Sequence, residues 1–155
     1  MDRTSDNASR GGTRCKPDVT GADANLTAEA RASMPFAETL GLEVLAAAPD
    51  AVRVRMAWEE RLCTAGGILH GGALMSLADA AGAYCAFLNL PDGSAGTATI
   101  ESKTNFFRAV REGHVVATSR ALHRGRTTIV VETDLHDAEG RHVARVTQTQ
   151  AVLGA

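Results

Sequence analysis

The run Leu69-His70-Gly71-Gly72-Ala73-Leu74-Met75-Ser76-Leu77-Ala78-Asp79-Ala80-Ala81-Gly82-Ala83-Tyr84 constrains this chain more than any other stretch. From Ala73 to Leu88 the residues are mostly good helix formers and no proline interrupts them, which predicts one long helix. Apolar residues fall on nearly every side, so the helix is expected to be buried all round rather than to lie amphipathically on a surface. Its one charge is Asp79. Residues one or two turns away on the same face are Gly72, Met75, Ser76, Gly82, Ala83 and Ala86. Most are small, so another backbone, subunit or ligand can come close. A carboxylate buried without partners is costly, and Asp79 is therefore expected to be compensated or used. Two plainer readings compete: a solvated residue on an Ala-rich helix, and a membrane span. A run of ~18 apolar residues is near the lower limit for a span, but a charge near the middle, many Ala and Gly, and the otherwise soluble composition argue against one. The glycines add weight to function. Gly71 and Gly72 leave unobstructed N–H groups at a helix N-terminus, where they can hydrogen-bond an oxygen carrying negative charge. A carboxylate about two turns further on is suited to hydrolysis.

Composition sets the outer bounds. The 155 residues suit one domain. Hydrophobic residues at 45% and charged residues at 22% give the balance of an ordinary soluble globular protein. A net charge of -2 offers no whole-molecule electrostatic case for nucleic acid. Cys15, Cys63 and Cys85 are too few and too scattered for a disulfide framework, so a reduced, cytoplasmic setting is expected.

Taken in order, residues 1–27 are polar and carry only Val19 and Leu26 as large apolar residues, which predicts a disordered N-terminal tail ahead of a domain over 28–155. No apolar stretch follows Met1, so this is not a secretory signal. Thr27 is the expected N-cap of a short helix and Gly41 its stop. Leu42 to Ala48, a Pro49-Asp50 turn, and Val52 to Trp58 alternate with period two, as a hairpin does. Glu59 to Leu69 reads as a loop, and Pro91-Asp92-Gly93-Ser94 as a break after the long helix. Four β-rich runs follow: Gly96 to Phe107, His114 to Leu122, Thr127 to Leu135 and His142 to Leu153. The order is helix, hairpin, one long helix, then a meander. Such an α+β chain buries its helix by wrapping a curved antiparallel sheet around it.

With His70-Gly71-Gly72 followed seven residues later by Asp79, the chain resembles the hotdog-fold acyl-CoA thioesterases, particularly the phenylacetate-degradation type. The likeness runs from about Met34 to Leu153. It includes Phe106-Phe107-Arg108-Ala109-Val110-Arg111-Glu112-Gly113, similar to the strand and turn after the family's helix. It also includes Gly140-Arg141-His142-Val143-Ala144 at the start of the last strand. The resemblance implies hydrolysis of an acyl-CoA thioester by a homodimer or homotetramer whose active sites are shared between subunits. It implies that the Gly71 N–H polarises the thioester carbonyl and that Asp79 attacks the thioester or activates water. It also implies that Thr99 lies near that carboxylate. Thr64 stands where these enzymes commonly carry Asn or Gln, and its shorter hydroxyl makes for weaker or water-mediated support.

The other constellations are weaker. His70 is a candidate general base, but orienting the helix start by hydrogen bonding is the better expectation for it. His114, His123, His136 and His142 show no metal-ligand spacing, and no metal or other cofactor is expected. Cys63, seven residues before His70, invites a Cys–His nucleophile without further support. Arg108, Arg111, Arg124 and Arg126 are expected to cluster near strand ends, where guanidinium groups can bind the phosphates of coenzyme A. Arg124-Gly125-Arg126-Thr127 is the better candidate, because its glycine and hydroxyl leave donors for a phosphate or pantetheine amide. Two rivals remain: a non-catalytic acyl-CoA-binding or regulatory module, and an acyl-CoA hydratase on the same fold.

Overall fold

The computed structural model describes residues 21–154, and the expected tail falls outside it up to residue 20. Helix α1 (Ala24–Ser33) begins inside the stretch assigned to the tail. Its N-cap is Asp23, whose carboxylate accepts the N–H groups of Asn25 and Leu26, each at 3.0 Å. Thr27 is therefore not the cap. It lies within the first turn, buried, and its Oγ1 accepts the Val44 N–H at 2.9 Å. An upstream carboxylate satisfies the helix end, which leaves the threonine hydroxyl for an inward contact. Pro35 then starts helix α2 (Pro35–Thr39), and Gly41 ends the segment with φ +64°, as expected.

The strands are β1 (Glu43–Ala48), β2 (Ala51–Ala57), the two-residue pair β3 (Cys63–Thr64) and β4 (Ile68–Leu69), and, beyond the long helix, β5 (Gly96–Phe106), β6 (His114–Arg124), β7 (Thr128–Asp137) and β8 (His142–Leu153). Glu59 to Leu69 is thus not all loop: Gly66 and Gly67, at φ +74° and +68°, turn the chain so that β3 and β4 pair. The six long strands form one antiparallel sheet in the order β1-β2-β6-β7-β8-β5. Helix α3 (Gly71–Phe87) lies across it, touching β2, β5, β6, β7 and β8. This is the α+β hotdog architecture. Met56, Leu77, Ile129, Leu135 and Val146 lie fully buried between helix and sheet.

The helix is not buried all round. Leu74, Leu77, Ala78, Ala81, Gly82, Cys85 and Ala86 are buried. Met75, Asp79 and Phe87 are exposed in the single chain, with Phe87 at 56%. A single sheet covers one side of a helix, so an all-round apolar sequence leaves its far side open.

Candidate active site

The start of α3 is held by His70. Its backbone is extended, and its Nδ1 accepts the Gly72 N–H at 2.8 Å, which makes it the N-cap. A ring nitrogen that accepts this N–H carries no hydrogen of its own. Of the two roles considered for His70, the orienting one is the role this bond supplies. Gly72 is needed for it: a Cβ there would lie 2.9 Å from Nδ1 and 3.2 Å from Cε1. The N–H of Gly71 lies in the same first turn, where the helix dipole is positive. The Phe106 ring lies beside this turn, 3.2 Å from where a Gly71 Cβ would be.

Asp79 lies two turns along, exposed rather than buried. Its Oδ1 accepts two hydrogen bonds, from Thr99 Oγ1 at 3.2 Å and from Gln148 Nε2 at 2.6 Å. Thr99 in turn accepts from Gln150 Nε2 at 2.9 Å, and Thr97 Oγ1 meets Gln150 Oε1 at 3.1 Å. A bulge between Thr99 and Glu101 breaks the β5–β8 register at Ile100. One extra residue exchanges the faces of a strand. Thr99 therefore meets Asp79 on one side of the bulge, and Ser102, not Glu101, shares its groove on the other. That groove encloses about 460 Å³ and is mostly apolar, with Met34, Phe36, Leu40, Met75 and Ala83 among its walls. A second apolar cavity of about 520 Å³ adjoins it through Met34 and Ala83 and reaches Tyr84 and Phe87. Burial there pushes the Tyr84 phenol above its ordinary range.

The structure brings Thr99 to Asp79 and leaves other expected residues apart. Thr64 pairs with Ile68 in the small hairpin and, among the described residues, makes no hydrogen bond to the Asp79 cluster. Cys63 donates to the Glu59 carbonyl at 3.4 Å, not to His70. Burial pushes the Cys85 thiol up. Among the described residues no three His, Cys, Asp or Glu side chains gather as a metal would require. The arginines do not form one cluster. Arg108 and Arg111 lie in the connection before β6, and Arg111 Nη1 reaches the Gly66 carbonyl at 2.9 Å near the start of α3. Arg124 is the last residue of β6, and its Nη2 reaches the Pro49 carbonyl at 3.0 Å, which Asn89 beyond the end of α3 also meets. A strand of 11 residues separates the two groups by about 35 Å. Gly125 serves its turn by close approach: a Cβ would lie 2.7 Å from His123 Nε2 and 2.8 Å from the Thr128 carbonyl. Arg126 and Thr127 are exposed in the same turn.

The sequence pattern alone does not single out Gln148 and Gln150. Their trace in it is the period-two face Val146, Gln148, Gln150, Val152 of β8, where two fully buried amides stand among apolar positions.

Comparison with known proteins agrees with this fold. The family model of the thioesterase superfamily matches residues 66–144. The proofreading thioesterase EntH of Cronobacter turicensis is 32% identical over 117 residues, covering 76% of this chain and 85% of the relative. The crystal structure of the Haemophilus influenzae thioesterase HI1161 superposes with a TM-score of 0.77 at 27% identity, covering 84% of this chain and 89% of the other. The E. coli PaaI protein from the phenylacetic acid degradation operon shares the fold, with a TM-score of 0.73 at 23% identity over 84% of this chain and 93% of its own. Among the described residues no helix is long and apolar enough to cross a membrane.

Proposed function

Because the chain belongs to the thioesterase superfamily and is a thioester hydrolase, we propose that it hydrolyses an acyl-CoA, with Asp79 as nucleophile or general base and the Gly71 N–H as oxyanion donor. The observation that carries this reading is the Asp79 carboxylate, held through Oδ1 by Thr99 and Gln148 on the wall of an apolar groove. A groove of this lining suits an acyl chain, and a carboxylate at its wall suits attack on the carbonyl the chain carries. In the nucleophilic route Asp79 adds to the thioester carbon, the CoA thiolate leaves, and water hydrolyses the resulting anhydride. In the general-base route Asp79 takes a proton from water as that water adds to the same carbon, and the thiolate again leaves. Either route puts negative charge on the carbonyl oxygen, which an N–H at a helix N-terminus stabilises.

Asp79 follows Gly71 by eight residues along α3, an axial separation of roughly 12 Å. One carbonyl group cannot meet both at hydrogen-bond distance. The reading therefore pairs Gly71 of one copy with Asp79 of a second, in a homodimer or homotetramer. His70 keeps the Gly71 turn in shape, and Thr64 lies in the hairpin that leads into it. The coenzyme A phosphates are assigned to Arg124, Gly125, Arg126 and Thr127, with Arg108 as a separate contact at the Gly71 end.

The test is Asp79→Asn, assayed for hydrolysis of an acyl-CoA panel, for binding and for melting temperature. Turnover should fall by on the order of 10²–10⁴ with binding retained, the usual worth of a positioned acid or base. Unchanged turnover in the folded variant would remove Asp79 from the mechanism. A wild type that hydrolyses no acyl-CoA would remove that substrate class. Single turnover in labelled water separates the routes, since label entering Asp79 marks the anhydride.

A further inference from the structure

Gln148 and Gly82 form a second feature of the site. Gln148 reaches α3 from β8, is fully buried, and donates Nε2–H to Asp79 Oδ1 at 2.6 Å. A carboxylate only accepts, so the amide must turn its nitrogen toward Asp79. Its Oε1 then points at Gly82 and, among the described residues, finds no hydrogen-bond partner. The amide fits only because residue 82 is glycine: a Cβ there would lie 1.7 Å from Oε1 and 2.9 Å from Cδ. Gly82 has no left-handed φ to require it. A glycine within a helix and a buried amide oxygen without a partner each lower stability. An alanine at 82 and an apolar residue at 148 would avoid both. The two costs meet at one point, directly behind the carboxylate.

We propose that Gln148 is a positioning residue for hydrolysis, that it fixes the orientation of Asp79, and that Gly82 makes the space it needs. The inference rests on the assignment of Asp79 above. Thr99, itself held by Gln150, supplies the second donor, and both donors meet Oδ1. With both donors on Oδ1, Oδ2 is left for the reacting carbonyl. A carboxylate free to rotate would spend most of its time misdirected, and loss of alignment by about 1 Å can cost about 100-fold in rate.

The experiment compares wild type with Gln148→Met, Gly82→Ala, Gln148→Ala/Gly82→Ala and Asp79→Asn, reading kcat, KM and melting temperature with one acyl-CoA that the wild type hydrolyses. Gln148→Met keeps the volume and removes the donor. It should lower kcat about 10- to 100-fold with KM within about threefold and the melting temperature equal or higher. Gly82→Ala should lower both kcat and melting temperature, because the methyl displaces the amide. Adding Gln148→Ala should restore the melting temperature but not kcat. The proposal fails if Gln148→Met turns over like wild type while Asp79→Asn is inactive, an outcome that leaves the Asp79 assignment standing. It fails also if kcat in every variant follows only the folded fraction. Full activity in Asp79→Asn would overturn both readings together.

Discussion

His70 shows how much one bond decides. An imidazole beside a glycine pair looks like a base, yet its Nδ1 is already engaged with the Gly72 N–H. What it contributes is a capped first turn and a fixed direction for the neighbouring Gly71 N–H. His70→Ala should therefore cost roughly 1 kcal/mol, a drop of about 2–4 °C in melting temperature for a domain of this size. His70→Asn, whose side-chain oxygen can accept the same N–H, should recover most of that loss in a thermal scan. Failure of Asn to recover it would mean that the ring stabilises the turn by packing. Asp79 depends on its surroundings in the same way. Its helix supplies the position, but its donors come from strands, and one of them, Gln148, is 69 residues away in the chain.

At the scale of elements, α1 closes an edge of the sheet. Strand β1 is an outer strand, and outer strands leave backbone groups unpaired on one side. Here Val44 donates its N–H to Thr27 Oγ1 at 2.9 Å, and its carbonyl accepts the Asp23 N–H at 2.8 Å. Thr27→Val should leave a buried N–H without a partner and cost about 1–3 kcal/mol in chemical denaturation. A smaller loss would mean that solvent reaches Val44 in the variant. The β7–β8 turn is held differently. Asp137 is buried, which by itself would raise its pKa. The Arg141 N–H at 2.9 Å and guanidinium at 2.7 Å, with the Glu139 N–H at 3.1 Å, outweigh burial and hold the carboxyl below its ordinary range. A carboxyl whose pKa is lower in the folded state stabilises that state fully above the ordinary value of about 4, and loses the contribution as pH falls through the folded value. Asp137→Asn should lower the melting temperature at neutral pH and flatten its decline below about pH 4. An acid decline as steep as in wild type would assign that decline to other carboxyls.

At the scale of the whole molecule, the open side of α3 and the outer strand β5 are the features a single chain leaves unfinished. Phe87, Ile100, Phe106 and Phe107 are each at least half exposed, and two adjoining apolar cavities lie along the helix. Covering them with a second copy would bury that surface and, on the proposed reading, would set Gly71 of one copy beside Asp79 of the other. Sedimentation at micromolar concentration should therefore find a dimer or larger assembly. A stable monomer that still hydrolyses the substrate would overturn the shared site.

Much of this architecture was legible in short stretches of the chain, because helix and strand periodicities are local properties. The long helix, the β1–β2 hairpin, the four later strands and the Gly71/Asp79 spacing could all be read that way, and so could the family to which they belong. Local pattern could not tell that Asp79 is exposed, since an all-round apolar helix says nothing about how many layers will cover it. Nor could it keep Arg111 and Arg124 apart, because nearness in sequence ignores the full strand between them. The partners of Asp79 were beyond it for a similar reason. Thr99 is turned toward the carboxylate by a bulge, and Gln148 arrives only once β8 has paired between β7 and β5. Those contacts join residues 20 and 69 positions apart, and they exist only when the sheet has closed its order against the helix.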